Sequence, residues 1–330
     1  MKKLSLVIIG LLCILSCTET KKDKSQKKPQ SAMAQSVGKI NELSVVIDNE
    51  LWKGSLGDTI RKYFGAEVPG LPQVEPLFSM RQMPSTAFSG LARKNRTFIW
   101  IRKGKKKSFD LLKNKYATPQ LGAVISGTDS EIISQIKEHH ETIVSKFKTI
   151  ETKEKQSRIR KSLEKIPQLQ EKLGVKINIP SAYRLAMEED TFFWIRKDIS
   201  HGSMNLIVYE LPLGTITKDS NTVGSIIKMR DSIGTLKIPA GETGTNKFIT
   251  EEAYAPYLYE TKLAGRFTFE TKGTWEIKDR FMSGPFVNYA IEDEKNNRLL
   301  VLEGFVFAPS VNKRDNMFEL EAIIKTIKFE

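Results

Sequence analysis

The stretch SGPFVNYAIEDEKNNRLLVLEGFVFAP, residues 283–309, decides the predicted fold of the second half of the chain. Two runs rich in β-branched, aromatic and aliphatic residues flank a polar tip, a pattern typical of two strands joined by a turn. We place the turn at Lys295, Asn296 and Asn297. The stretch therefore predicts a long β-hairpin within a mostly antiparallel sheet.

The sequence on both sides of this hairpin continues the pattern. Downstream of Asp315, apolar residues recur at helical spacing and predict a helix packed on the sheet. Upstream, Ala264 and Gly265 form a predicted hairpin turn within residues 253–277. Residues 203–212 are predicted as a strand, and residues 222–234 as a helix closed by Gly234. The apolar face of the last helix is Met317, Leu320, Ile323, Ile324 and Ile327.

The sequence of the first half predicts a smaller α+β unit, in which helices cover a small antiparallel sheet. Its long helix begins at Thr128 or Asp129, either of which is a suitable N-cap. Strands are predicted at 42–48, 77–83, 95–103 and 120–127, and a helix at 49–65.

These predictions divide the chain into five segments. Residues 1–16 are a lipoprotein signal peptide, 17–40 a disordered lysine-rich tether and 41–150 an N-terminal α+β domain. Residues 151–174, interrupted by Pro167, are a helical linker, and 175–330 form a C-terminal α+β domain.

One strand motif occurs in both halves, as TFIWIRK at 97–103 and TFFWIRK at 191–197. The match indicates either a duplicated fold or convergence, because aromatic and β-branched residues are common in strands. In either case alternation places Phe98 and Trp100 on the face opposite Ile99.

The N-terminus predicts export and anchoring. Lys2 and Lys3 precede an apolar run at 4–15, which is too short to span a bilayer as a permanent helix. The run ends in Ile-Leu-Ser-Cys, which resembles the lipobox of bacterial lipoproteins and implies that Cys17 carries lipid. The alternative is a plain signal peptide with a chance cysteine. Cys13 would leave with the signal, so the mature chain would have no disulfide.

The anchor sets the expected partners and location. The tether is basic and Thr18 follows the cysteine, features that resemble outer-membrane lipoproteins facing the periplasm. Its lysines either lie against anionic headgroups or form a solvated spacer. The net charge of +13 lies largely in the signal, the tether and residues 102–107, so no nucleic-acid partner is expected. The membrane through Cys17 and an envelope protein are the expected partners.

No catalytic, cofactor or metal site is predicted. His139 and His140 are adjacent on a helix and cannot chelate one metal as an i, i+4 pair could. His201 lies in a predicted loop. The acidic clusters at 188–190 and 292–294 are predicted to be solvated, with weak Ca²⁺ binding left open at the second. The remaining candidate, GETGTNK at 241–247, lacks the spacing of a phosphate loop.

Several segments resemble a known family. They are MRDSIG at 229–234, LWKGSLGDTI at 51–60, GLPQVEPLF at 70–78, and the hairpin with its flanks. Together they resemble a family of Bacteroidota lipoproteins, the domain-of-unknown-function family four-eight-three-seven. INIPSAYRL at 177–185 and EGFVFAP at 303–309 are more loosely similar to PsbP and Mog1, which implies an α/β/α sandwich for the second half.

Three functions remain open from the sequence. The first, which we favour, is a non-enzymatic binding or envelope-assembly lipoprotein. The others are a hydrolase or transferase whose site is assembled from distant residues, and a structural subunit of an outer-membrane complex. Trp100, Trp194 and Tyr257 are the residues to examine for binding, although core packing also explains the tryptophans.

Overall fold

The computed structural model describes residues 33–239, 247–278 and 280–330. Residues 34–330 form one compact unit of mixed helices and strands, which confirms the α+β class. In the first half the elements are β1 (Glu42–Val46), α1 (Asn49–Lys53), α2 (Ser55–Phe64), β2 (Ser79–Met83), β3 (Thr97–Lys103), β4 (Ser108–Lys113), β5 (Leu121–Gly127) and α3 (Asp129–Ile159).

The first sheet differs from the small antiparallel sheet expected for this half. Its order is β2-β1-β3-β5-β4, and β1–β2, β1–β3 and β3–β5 are parallel, whereas only β4 is antiparallel to its neighbour. The physical reason is the connection between β1 and β2, because α1 and α2 carry the chain back to the end of the sheet from which β1 started.

The two faces of this sheet are covered differently. Helices α2 and α3 pack on the face that carries Ile99 and Ile101. Phe98 and Trp100 point to the other face, where Phe88 from residues 84–96 packs against them. This alternation along β3 confirms the predicted arrangement of the motif, and both faces of the strand are covered.

Helix α3 joins the two halves. Thr128 is its N-cap and forms a capping box with Glu131, as predicted for one of the two candidates. The helix runs for 31 residues to Ile159, which packs in the core of the second half. The segment predicted as a helical linker then continues as β6 (Leu163–Glu164) and α4 (Pro167–Leu173), which ends at the left-handed Gly174.

The second half contains an eight-stranded antiparallel sheet, ordered β12-β14-β15-β16-β11-β10-β9 with β13 also paired to β14. The predicted hairpin is its centre, with β15 and β16 joined through a 3₁₀ turn and the left-handed Asn297. The elements are β7 (Val175–Lys176), β8 (Ile179–Pro180), β9 (Arg184–Glu188), β10 (Phe192–Ile199), β11 (Gly202–Pro212), α5 (Thr222–Lys237), β12 (Phe248–Thr250), β13 (Tyr257–Leu263), β14 (Arg266–Ile277), β15 (Met282–Asp293), β16 (Arg298–Phe307), α6 (Arg314–Ile324) and β17 (Lys328–Phe329).

Helices cover both faces of this sheet. Helix α5 packs on one face, and α4 and α6 pack on the other, which gives the expected three-layer sandwich. All five residues of the predicted apolar face of the last helix are buried, but Ile327 lies beyond the end of α6 at Ile324. Helix α5 does not end at Gly234 but continues to Lys237. The glycine instead allows the helix to pack closely on β12, since a Cβ at position 234 would lie 2.6 Å from the carbonyl oxygen of Phe248.

The repeated strand motif occupies different positions in the two sheets. Strand β3 lies between two parallel neighbours, whereas β10 lies between the antiparallel strands β9 and β11. The strands therefore do not occupy equivalent places, and the seven-residue match does not extend to a shared topology.

Candidate functional site

A cleft of about 530 Å³ lies where the connector after α2 meets the sheet of the second half. Pro69 and Pro72 keep the connector out of regular structure. Gly70 has φ +80°, and a Cβ there would lie 2.9 Å from Lys272 Cβ, so glycine allows the connector to touch β14. The cleft is lined by residues 67–72 on one side and by Glu251, Tyr254, Ala255, Tyr257, Gly273 and Thr274 on the other.

The lining is aromatic and acidic. Tyr254 is 73% exposed and Tyr257 is 54% exposed, so both rings are available to a ligand. Glu67 and Glu251 contribute carboxylates, and the hydroxyl of Thr274 donates to Glu251 Oε2 at 2.6 Å. Among the described residues of the lining there is no lysine, arginine, histidine or cysteine. The cleft is therefore locally negative within a chain whose net charge is +13.

This chemistry suits a cationic group. An ammonium or guanidinium is attracted by the face of a tyrosine ring and forms charge-assisted hydrogen bonds with carboxylates. Acid–base or nucleophilic catalysis needs a positioned partner for a nucleophile, and the described lining provides only the Thr274 hydroxyl next to a carboxylate. The arrangement is thus better suited to binding than to covalent chemistry.

Only one of the three aromatic residues selected from the sequence reaches the cleft. Tyr257 lines it, at the start of β13. Trp100 is half-buried against Phe88, and its indole N–H lies 3.4 Å from the hydroxyl of Ser85. The indole of Trp194 donates to Asn205 Oδ1 at 3.0 Å within the core of the second half. Packing, the alternative considered for both tryptophans, accounts for their positions.

The three histidine rings have separate surroundings. His139 stacks on Phe109 with ring centroids 4.1 Å apart, and His140 lies 4.1 Å from the ring of Tyr63. His201 is exposed in the turn before β11. In the described part of the chain no group of three or more His, Cys, Asp or Glu residues is placed to hold a metal ion.

The acidic cluster at 292–294 differs from the solvated tip that was predicted. Asp293 is fully buried and accepts hydrogen bonds from Arg266 at 3.1 Å and Arg298 at 3.0 Å. Burial raises the pKa of Asp293, but the bonds from Asn296, Arg298 and Arg266 outweigh it and leave the pKa lowered. This carboxylate therefore stabilises the hairpin end.

A buried ion pair was missed by the sequence reasoning. Arg230 of α5 and Glu303 of β16 form two hydrogen bonds of 2.7 Å, and Asn288 donates to the same carboxylate at 2.8 Å. The guanidinium lies 3.5 Å from the ring centre of Phe286. The sequence did contain a signal for this pair, because Arg230 and Glu303 each lie within an apolar segment. Charged residues in such segments are buried only when they are paired. The pair joins α5 to the sheet and does not line the cleft.

Two sequence-predicted features lie outside the described residues. They are Cys17, the predicted lipidation site, and residues 240–246, which include most of GETGTNK. Within the described residues no helix is both long enough and apolar enough to cross a membrane.

Comparison with known proteins assigns both halves to families without a described activity. A family model described as a domain of unknown function, DUF4837, matches residues 162–326, and a second, DUF8532, matches residues 36–160. No curated protein matches the chain.

Two solved structures are similar to part of the chain. LpqN of Mycobacterium tuberculosis, described as involved in cell envelope biogenesis, has 15% identity and a TM-score of 0.28, covering 47% of this chain and 83% of its own. The Saccharomyces cerevisiae Ran-binding protein Mog1p has 10% identity and a TM-score of 0.29, covering 47% and 90%. Likenesses of this size leave the activity of the chain open.

Proposed function

Because the chain belongs to the DUF4837 family, whose description names no activity, we propose a function from its own residues: it is a lipid-anchored binding protein of the cell envelope. The cleft receives a cationic segment of its ligand. Cys17 holds the protein to the outer membrane, with the folded part facing the periplasm.

The lining of the cleft is the observation that carries the binding proposal. Tyr254 and Tyr257 are large aromatic side chains that remain exposed beside Glu67 and Glu251. Exposed aromatic rings next to convergent polar groups in a concave site are typical of ligand recognition. A lysine or arginine side chain entering this cleft would meet both ring faces and carboxylates.

The N-terminal sequence supports the anchoring proposal. Lys2 and Lys3, the apolar run at 4–15 and Cys17 follow one another in the order of a lipoprotein signal. With Cys13 removed, Cys17 would be the one thiol of the mature chain.

Binding in the cleft is tested with a hexalysine peptide as the probe. Isothermal titration calorimetry on the full chain should detect binding of hexalysine. Tyr257→Ala and Tyr254→Ala should each weaken hexalysine binding about fivefold, the size of one cation–π contact at an exposed site.

The matched control is Tyr259→Ala. Tyr259 lies on the same strand, is 42% exposed and does not line the cleft, so its loss should leave the affinity unchanged. Equal weakening by Tyr259→Ala and Tyr257→Ala, or no binding by the unmodified chain, would show that the cleft is not the site.

Anchoring is tested separately in cells. Labelled palmitate should enter the wild-type chain, and Cys17→Ala should remove the label and stop signal cleavage at this position. Incorporation that survives in Cys17→Ala would refute lipidation at this cysteine while leaving the cleft proposal untouched.

A further inference from the structure

The second face of the first sheet has an unusual cover. Helices α2 and α3 bury one face, but the other is covered by Tyr116 and by residues 84–96, which contain two short 3₁₀ turns and no α-helix. Trp100 and Tyr116 are half-buried on this side. Their outer edges are covered by cations: the guanidinium of Arg102 lies 5.2 Å from the Trp100 ring, and that of Arg93 lies 5.4 Å from the Tyr116 ring.

The charge around this face is strongly one-sided. Within the described residues, the exposed or half-exposed cations at its two ends form no ion pair. Residues 93–115 contain a single carboxylate, Asp110, and two cations of this range, Arg96 and Lys103, are paired with Glu151 and Asp129. A third, Lys113, alternates with Leu112 along β4 and so lies on the opposite face of the sheet. Among the residues that the structure describes, the cations of this face without an ion pair are Arg93, Lys94 and Lys115 at one end and Arg102, Lys105, Lys106 and Lys107 at the other. We call these residues, with Leu91 and Trp100, the basic face.

An apolar side chain stands among these charges. Leu91 is 67% exposed on the covering segment, and Arg93 and Lys94 follow it after Ala92. An exposed leucine close to cations matches a lipid surface, where phosphates lie above an apolar layer.

We propose that the basic face docks on the anionic surface of a lipid bilayer. The cations contact headgroup phosphates, while Leu91 enters the interface and Trp100 lies at the headgroup level that tryptophan prefers. Docking requires neither lipid on Cys17 nor a ligand in the cleft. It goes beyond the proposed function by fixing which side of the protein faces the membrane.

The same face fits nucleic acid less well. Single strands bind by stacking bases on open aromatic rings, but the rings here are packed against Phe88 and covered by Arg93 and Arg102. Duplexes bind through phosphate contacts and would leave Leu91 exposed.

The docking is tested by adding lipid vesicles to the full chain and measuring hydrogen exchange by mass spectrometry. The vesicles are phosphatidylcholine alone or an equimolar mixture with phosphatidylglycerol. On the mixed vesicles, the exchange rates of the amides in residues 88–95 and 102–108 should fall by a factor of up to about five. About 1 M salt, which reduces the screening length to about 3 Å, should abolish this protection.

Charge reversal supplies the matched comparison. Changing Arg102, Lys105, Lys106 and Lys107 to Glu should remove the protection. The same change at four exposed lysines of the second half should retain it; they are Lys228, Lys262, Lys295 and Lys328.

Three results would overturn the proposal. They are equal exchange on the two kinds of vesicle, loss of protection in the control variant, and protection of these segments by added duplex DNA but not by mixed vesicles. None of them depends on palmitate labelling or on hexalysine binding, so the docking and the proposed function fail or stand independently.

Discussion

At the scale of single residues, Lys148 is a charged side chain with a strongly lowered pKa. It extends from α3, and its ammonium donates to Asn41 Oδ1 at 2.9 Å and to the carbonyl of Leu77 at 2.7 Å. Burial and then Arg314 lower its pKa to about 7. Glu321, Glu151 and Asp315 act in the opposite direction but do not restore the pKa. The protein therefore keeps a half-buried, partly neutral lysine at neutral pH.

This lowered pKa predicts a stability that depends on pH. The unfolded chain, with a lysine pKa of about 10.4, binds more protons than the folded one between pH 7 and that value, so stability from this group rises with pH. Lys148→Met should remove the rise. The difference in unfolding free energy between wild type and variant should change by roughly 3 kcal/mol from about pH 7 to pH 9.5.

Urea unfolding at several pH values measures this difference. Lys146→Met, an exposed lysine on the same helix, should give a curve parallel to wild type. A parallel curve for Lys148→Met as well would mean that the ammonium is not destabilised by its surroundings.

Lys148 also shows what the sequence cannot reveal at this scale. Ile132, Ile136 and Phe147 recur at helical spacing, and all three lie on the buried side of α3. The partners of Lys148 come from residues 41 and 77, far away in the chain, so no local pattern indicates its enclosure. The cleft could not be predicted from the sequence for the same reason, because its two walls are about 180 residues apart in the chain. Tyr257 alone among its lining residues was a binding candidate from the sequence.

At the scale of elements, the beginnings of helices were more predictable than their ends or the directions of strands. Thr128 and Glu131 form the capping box that their spacing predicts. Gly234 resembled a helix end but lies within α5, because Phe248 packs against it. The parallel pairing of the first sheet depends on how the connections cross the sheet, which the composition of the strands does not indicate.

The capping box of α3 gives a prediction at this scale. Thr128→Ala should lower the unfolding free energy by about 1 kcal/mol, because the hydroxyl that receives the backbone N–H of Glu131 is lost. The same substitution at Thr142, exposed in the middle of the helix, should be neutral or slightly stabilising, since alanine is the better helix former. Chemical denaturation of both variants decides the matter, and equal losses would contradict a specific role of the cap.

At the scale of the whole molecule, the connector between α2 and β2 joins the halves and shapes the cleft. Its Glu75 is buried and accepts the backbone N–H groups of Lys313 at 2.6 Å and Arg314 at 3.0 Å, at the start of α6. Arg314 returns a bond to the carbonyl of Pro76 at 2.9 Å. A carboxylate at a helix N-terminus is favoured by the helix dipole. The wall of the cleft is thus fixed by a contact outside it.

Removing this contact should affect two properties together. Glu75→Ala should lower the unfolding free energy by about 2 kcal/mol, because two buried N–H groups lose a charged acceptor. It should also weaken hexalysine binding, although Glu75 does not line the cleft. Thermal unfolding and calorimetry measure the two effects, with Val74→Ala, 74% exposed, as the control. Unchanged affinity in a clearly destabilised Glu75→Ala would show that the connector does not shape the site.

The end of α3 has a consequence for exchange of halves between relatives. The two family models meet at residues 160 and 162, just after the helix ends at Ile159. Yet Lys155 pairs with Glu319, and Gln156 donates to the carbonyl of Ala322 at 3.1 Å. A chimera joined at this boundary would pair the last helical turns of one parent with the α6 of another. Recombination would succeed most readily when the crossover precedes Lys155, so that these turns travel with the half whose core they complete.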